Sequence, residues 1–330
     1  MTKDQVLDQL NLSKELSFVK DNLLYLVLGG SRAYGTNHPE SDFDYRGVCV
    51  KPLEYYLGTK AFEQREDKTH DITIYDINKF FALAKNLNPN ILELLFIDNP
   101  KHIIYEHPIM TRIKQHRHLF ISKKAQYTFL GYAKSQLDRM KRHKRWIDTP
   151  PKSPQRGSYD IGDASIMSYD KLKGLNNLSN EDFELLDIRP EVKTYIQMEL
   201  QYKHDLDERR KYDTWVTNRN PKRAKLEAKC GYDGKHTMHL FRLIRMAKEI
   251  AIEGTLHIDR TYIDADFLTK IRNGDINYRG LMALVNQEEA EVKRLFEWST
   301  IPHSVDHKAI DALLINVLEE FLGLDTTNQV

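Results

Sequence analysis

The sequence predicts an α+β fold, in which a short mixed sheet with helices forms a first domain and a helical domain follows. Three observations point there. Short apolar runs that read as strands are confined to the first part of the chain, at Leu24–Leu28, Phe43–Val50 and Asp71–Tyr75. Helical periodicity dominates from Pro108 onward. Within that helical part lies DTPPKSPQRG (148–157), rich in Pro, Lys and Ser and therefore a loop or linker. The expected division is 1–147 for the sheet-bearing domain, 148–160 for the linker and 161–330 for a helical domain closing a cleft.

In chain order, Lys3–Lys20 has the spacing of an amphipathic helix with Val6, Leu10, Leu16 and Phe18 on its apolar side. Leu24–Leu28 is a buried strand that ends in Gly29-Gly30-Ser31. Phe43–Val50 is a second strand, stopped by Lys51-Pro52. DITIY (71–75) alternates and is a third. Asp76 is placed to cap a helix with Ile77, Phe80, Phe81 and Ala84 facing the core. Asn88-Pro89 starts another, with Asn at the cap and Pro in the first turn. Pro108–Ile147 is helical. Beyond the linker the expected helices are Glu191–Asp213, Pro221–Lys229, Gly234–Glu253, Asp264–Arg272, Tyr278–Trp298 and Val305–Leu322.

Composition narrows the class. Hydrophobic content of 41% and charged content of 29% are those of an ordinary globular protein. A net charge of +1 announces no global affinity for nucleic acid, so local clusters must carry any such claim. Cys49 and Cys230 are the only cysteines, which excludes a disulfide framework and suits a reducing cytosol. The N-terminus lacks a signal-peptide core, and the longest apolar run, near Leu23–Leu28, is far too short to span a bilayer. The expectation is a cytoplasmic protein with no membrane partner.

The chemistry concentrates in LYLVLGGSRAYGTNHPESDFDYRGVCV (24–50). Residues i and i+2 on a strand face the same way, so Asp42 and Asp44 aim two carboxylates at one point across from a Gly-Ser turn. Hard oxygen ligands beside a phosphate-sized loop describe a site for Mg2+ and a nucleoside triphosphate. Gly30 allows close backbone approach, and the Ser31 hydroxyl can bond phosphate oxygens. A third carboxylate is expected from a neighbouring strand. Asp71 shares the polar face of Thr73, whereas Asp76 falls on the other face and suits a cap; Asp71 is the expected third ligand. Arg46 shares the face of Asp42 and Asp44, either to bind phosphate or to neutralise them. Arg32 directly follows Ser31, to reach a phosphate or make a surface ion pair.

Two basic features lie farther on. Lys134–Arg145 (KSQLDRMKRHKR) suits a nucleic-acid backbone through Lys141, Arg142, Lys144 and Arg145, or is a solvated helix end. At a period of 3.6, Lys235, His239 and Arg242 form one stripe, either gripping phosphate or forming an ordinary polar face. His116-Arg117-His118 has no matching ligand pair, which argues against zinc there.

Gly30-Ser31, a ten-residue gap, Asp42-Phe43-Asp44 and a later strand carboxylate at Asp71 resemble the DNA polymerase beta-type nucleotidyltransferase superfamily. The string GSRAYGTNHPESDFDYRGV, together with NPNILE (88–93) and GYDGKHTMHL (231–240), resembles the branch associated with RNA repair and RNA ligase. The resemblance implies a polymerase beta-like core and metal-dependent transfer of a nucleoside monophosphate, with Mg2+ or Mn2+ as cofactor. The acceptor it implies is an RNA end, with an RNA ligase as a further partner. The alternatives are transfer to a small molecule or protein, or a catalytically silent nucleic-acid-binding repair partner. Asp42, Asp44 and Asp71 are then the catalytic metal ligands, Asp71 doubling as general base. Gly30, Ser31, Arg32, Arg46, Lys235, His239 and Arg242 are the expected nucleotide-binding residues.

Overall fold

The structure is a computed structural model; it describes residues 1–324 apart from 11, 164 and 166. Five strands form one mixed sheet in the order β3-β4-β2-β1-β5: β1 (Leu23–Leu28), β2 (Tyr45–Cys49), β3 (Gln64–Asp67), β4 (Ile72–Asp76) and β5 (Ile103–Glu106). β1 runs antiparallel to β2 and β5, β2 parallel to β4, and β3 antiparallel to β4. The continuous apolar run of β1 is buried because it lies between two neighbours. It packs with Val6, Leu7, Phe18, Val19, Ile72 and Ile74 in one core.

The α+β class is as expected, and several local signals land as read. Asp76 caps the helix Ile77–Lys85 by accepting from Asn78 N, and Ile77, Phe80, Phe81 and Ala84 are its buried face. Asn88 caps Pro89–Leu95. Gly234–Glu253 and Tyr278–Trp298 match the periodicity at both ends.

Other elements depart from expectation. The N-terminal segment is not one helix but Lys3–Asp8, a single turn Lys14–Leu16 and Phe18–Asp21. Ser13 and Ser17 favour caps and turns over helix interior; the Ser17 hydroxyl bonds the Lys14 carbonyl instead of leaving it to a helix. Residue 11 of the expected helix lies outside the described residues, as do 164, 166 and 325–330 of the expected helical domain. β3 and β5 went unforeseen. QRED is polar throughout because it is an exposed edge, the kind of strand that charge protects from further pairing. Helices Tyr169–Asn176 and Asn180–Leu185 were also missed.

The chain divides into two compact units, Met1–Arg139 with Gly234–Val330, and Met140–Asp233. The boundaries differ from those expected at 147 and 160, because the C-terminal helices close onto the sheet-bearing half. Arg260 N donates to the Tyr34 carbonyl (3.1 Å), Arg272 Nη1 to the Thr36 carbonyl (2.5 Å) and Asn99 Nδ2 to Asp259 Oδ2 (2.9 Å). The second unit has its own small core of Leu172, Phe183 and Ile196. Among the described residues no helix is long and apolar enough to cross a membrane.

Candidate active site

Where β1 ends, the chain turns sharply over the start of β2. Gly29 N donates to the Asp44 carbonyl at 2.7 Å, and Gly30 takes a left-handed φ of +62°. A Cβ at Gly30 would lie 2.8 Å from Asp44 Oδ2, so only glycine lets the turn rest on that carboxylate. The chain then enters the short helix Gly30–Ala33. Ser31 lies within it, its carbonyl accepting from Thr36 N at 2.9 Å.

Asp42 and Asp44 precede β2 rather than lying in it, since the ladder begins at Tyr45. Alternation still holds through this approach: Phe43 and Tyr45 stack on one side, with rings 6.2 Å apart and 9° from parallel. Asp44 therefore points to the other side, with Arg46, into a pocket of about 290 Å³ bounded also by Gly30, Glu66, Tyr75 and Glu93. Asp42 is exposed and is not among the residues lining that pocket.

Asp71 sits one residue before β4, and the parallel register that pairs Tyr45 with Ile72 brings it beside Asp44. It too lies outside the strand, at φ 53°, its carbonyl accepting from Tyr45 N at 2.9 Å. Arg46 spans the two carboxylates, with Nη1 at 2.6 Å from Asp44 Oδ1 and Nη2 at 3.2 Å from Asp71 Oδ1. Of the two roles the sequence left open for Arg46, the contacts are those of neutralisation.

Burial raises the Asp44 carboxyl to about 6; Arg46 opposes that rise, and the negative charges of Asp71 and Glu93 add to it. Asp44 Oδ1 is buried and, despite the Arg46 contact, makes no bond of hydrogen-bond geometry. A buried hard oxygen held by a side-chain cation without hydrogen-bond geometry, beside a second carboxylate, fits a divalent cation. The three expected ligands are not preassembled, however. Among the described residues the trio that converges within 4.8 Å is instead His143, Glu227 and Asp233, where Arg219 already pairs with Glu227. Mutual repulsion keeps carboxylates apart until a cation joins them, and Arg46 occupies the place between two of them.

The remaining expected residues divide. Lys235 is exposed, and its charge reaches Asp44, lowering that carboxyl. Arg32 is committed to the loop carrying Asp42: Nη2 donates to the Ser41 carbonyl at 2.7 Å, and the guanidinium lies 3.9 Å from the Phe43 ring centre. That geometry counts against a direct phosphate role. Arg242 is corrected outright: it is 1% exposed and ion-paired with Glu93. His239 Nδ1 accepts from Arg242 Nη2 at 2.6 Å, since a guanidinium only donates; burial first, then Arg242, pushes the ring down to about 2, so it is neutral. Neither offers positive charge to a phosphate, because a helical stripe read from period alone cannot tell a cleft from an interior.

The basic run on the helix Ala125–Asp148 is likewise largely spent. Lys144 pairs with Asp148 and Arg145 with Glu208, each at 2.5 Å, and Arg142 lies over Trp146 at 5.5 Å. Lys141 is exposed. Glu66 and Glu93 are pocket residues that the catalytic set omitted. Glu66 sits on the unrecognised edge strand, opposite Thr73, which is opposite Arg46. Glu93 carried a signal in the NPNILE string.

Residues 2–150 match the family described as RNA repair pathway DNA polymerase beta family (RlaP). Over 103 residues, 29% of this chain, the sequence is 32% identical to the "Uncharacterized protein YcgL" of Bacillus subtilis (strain 168). The chain covers 38% of that curated relative's length. No solved structure matches. The Gly-Ser turn, the Asp-x-Asp pair and the five-stranded mixed sheet all lie within residues 2–150, the stretch that matches the RNA repair pathway DNA polymerase beta family.

Proposed function

We propose that this protein is a metal-dependent nucleotidyltransferase that moves a nucleoside monophosphate from a nucleoside triphosphate to an RNA end, releasing pyrophosphate. The observation that carries this reading is the contact between the Gly30 turn and the Asp44 carboxylate, with Asp71 beside it across β2 and β4. Asp42, Asp44 and Asp71 would hold Mg2+ or Mn2+. When bound, the metal supplies charge neutralisation at the attacked phosphorus and lowers the cost of the leaving pyrophosphate.

The chain's own residues do the rest. The Gly29–Ser31 turn offers backbone N–H groups and the Ser31 hydroxyl to phosphate oxygens. Arg46 balances the carboxylates until the nucleotide arrives. Lys235, exposed and within electrostatic reach of Asp44, suits the charge that builds on the departing pyrophosphate. Asp71, half exposed, suits removal of the proton from the acceptor hydroxyl.

A second reading has its own observation. Because Lys144 and Arg145 are paired with acids, the basic run offers a nucleic-acid backbone less charge than its sequence suggests, which favours a smaller acceptor or a protein. One experiment separates them. The purified chain is incubated with each α-labelled triphosphate, Mg2+ or Mn2+, and mixed RNA. Label on RNA with stoichiometric pyrophosphate supports the proposal. Label on protein or on an added small molecule alone selects the second reading. No pyrophosphate under any condition sinks both.

A further inference from the structure

Two stretches set apart in the sequence, GSRAY and NPNILE, meet GYDGKHTMHL and Arg242 just beyond it in one largely buried group that the proposed chemistry does not use. The Tyr34 hydroxyl donates to Glu93 Oε2 at 2.5 Å. Arg242 pairs with Glu93 Oε1, and its guanidinium lies 3.7 Å from the Tyr34 ring centre. Its Nη2 donates to His239 Nδ1 at 2.6 Å. Glu93 and Arg242 cancel each other, and Tyr34 and His239 are neutral, so the group is electrically closed.

Stability is a poor reason for such a group. Desolvating a carboxylate and a guanidinium is costly, and apolar replacements of buried ion pairs are often neutral or better. Here Arg242 Nε is also buried without a hydrogen-bond partner. What the group does hold is Tyr34. That residue follows the helix Gly30–Ala33, whose four residues cannot hold a helix by themselves. The turn ahead of it has no slack either, since a Cβ at Gly30 would meet Asp44 Oδ2 at 2.8 Å.

We infer that Tyr34, Glu93, Arg242 and His239 are positioning residues: a clamp, with Glu93 and Arg242 buried, that sets the Gly29–Ser31 turn against Asp44 and so sets the seat of the triphosphate. The ligand named here rests on the nucleotidyl-transfer reading; the clamp itself does not. Tyr34→Phe removes one hydroxyl and keeps the ring under Arg242. Glu93→Gln keeps an acceptor and removes the charge. Arg242→Lys keeps the charge and loses the planar stack and fork.

The test uses the full chain and two probes. Amide hydrogen exchange reads the turn without any ligand. All three variants are expected to exchange faster over residues 29–36, by about tenfold, the scale of a lost hydrogen bond to a charged group, while protection elsewhere stays as in the wild type. Calorimetry with Mg2+ and inorganic tripolyphosphate is expected to show affinity weakened about tenfold by the same loss. With the preferred triphosphate, KM rises and kcat changes less, the mark of lost ground-state seating. Tyr34→Phe with Glu93→Gln is expected to cost less than the sum of the two single changes, because both weaken the Tyr34–Glu93 contact. Unchanged exchange over 29–36 in Tyr34→Phe and Glu93→Gln overturns the clamp, as does an increase spread evenly over the chain. Faster exchange confined to the turn in the variants, beside a wild type that transfers no nucleotide, keeps the clamp and removes the transfer reading. Transfer by the wild type with identical KM in the variants does the reverse.

Discussion

Asp44 and Asp76 stand at opposite ends of the paired strands β2 and β4, each a carboxylate beside one cation. Asp76 is 1% exposed and fully occupied: it caps Asn78 N at 3.2 Å, pairs with Lys51 Nζ at 3.2 Å and accepts from the Tyr56 hydroxyl at 3.5 Å. Asp44 lines a pocket, and its Oδ1 is held by Arg46 Nη1 at 2.6 Å without hydrogen-bond geometry. Burial raises both carboxyls, Asp44 to about 6. One acid is satisfied by backbone and side chains that the fold holds in place. The other depends on a single arginine it can exchange for another cation. The difference separates a structural aspartate from a chemical one better than residue type does.

The sharpest way to break the comparison is to remove charge at the pocket end. Asp42→Asn and Asp44→Asn are each expected to cost several kcal/mol of transition-state stabilisation, about 10³-fold in transfer rate. The labelled-triphosphate assay measures it. Wild-type turnover in both variants would remove the metal assignment.

The next contrast sets Asp71 against Asp76. Asp71→Asn is expected to silence transfer while the melting temperature stays near that of the wild type, because the side chain is half exposed and only Arg46 loses a partner. Asp76→Asn keeps the cap but leaves Lys51, 13% exposed, without its carboxylate, a loss of about 1–3 kcal/mol in stability with transfer by the folded fraction intact. Denaturation curves and specific activity together decide; the reverse pattern would exchange the roles of the two acids.

The smallest effect is a pH dependence. Asp44 holds its proton more tightly in the fold than in the unfolded chain, so ionising it weakens the fold. Its contribution to stability therefore falls as pH rises from about 4 to about 6 and stays lost above that. Without metal, Asp44→Asn is expected to be more stable than the wild type at pH 7.5, by about 1–3 kcal/mol, with the gain gone below pH 4. Melting curves in chelator at several pH values measure it. A variant less stable at pH 7.5 would mean that Arg46 compensates Asp44 fully.

The sequence by itself determined whatever depends on neighbours a few residues apart. β1 as a buried strand, the caps at Asp76 and Asn88, the helix Gly234–Glu253 and the turn at Gly30 follow from apolar runs, capping chemistry and period. Only the tertiary structure decided which charges meet. β3 carries no apolar pattern because it is an exposed edge, so Glu66 went unplaced beside the pocket. Asp71 leaves the strand through a left-handed turn that no alternation of side chains announces. Arg242 and Arg46 are both arginines beside acids, yet one is sealed with Glu93, 149 residues away in sequence, and the other opens into the pocket. Periodicity is a statement about one element's own geometry. Whether a polar face meets solvent, a ligand or a buried countercharge depends on the element packed against it, and that is a long-range property of the fold.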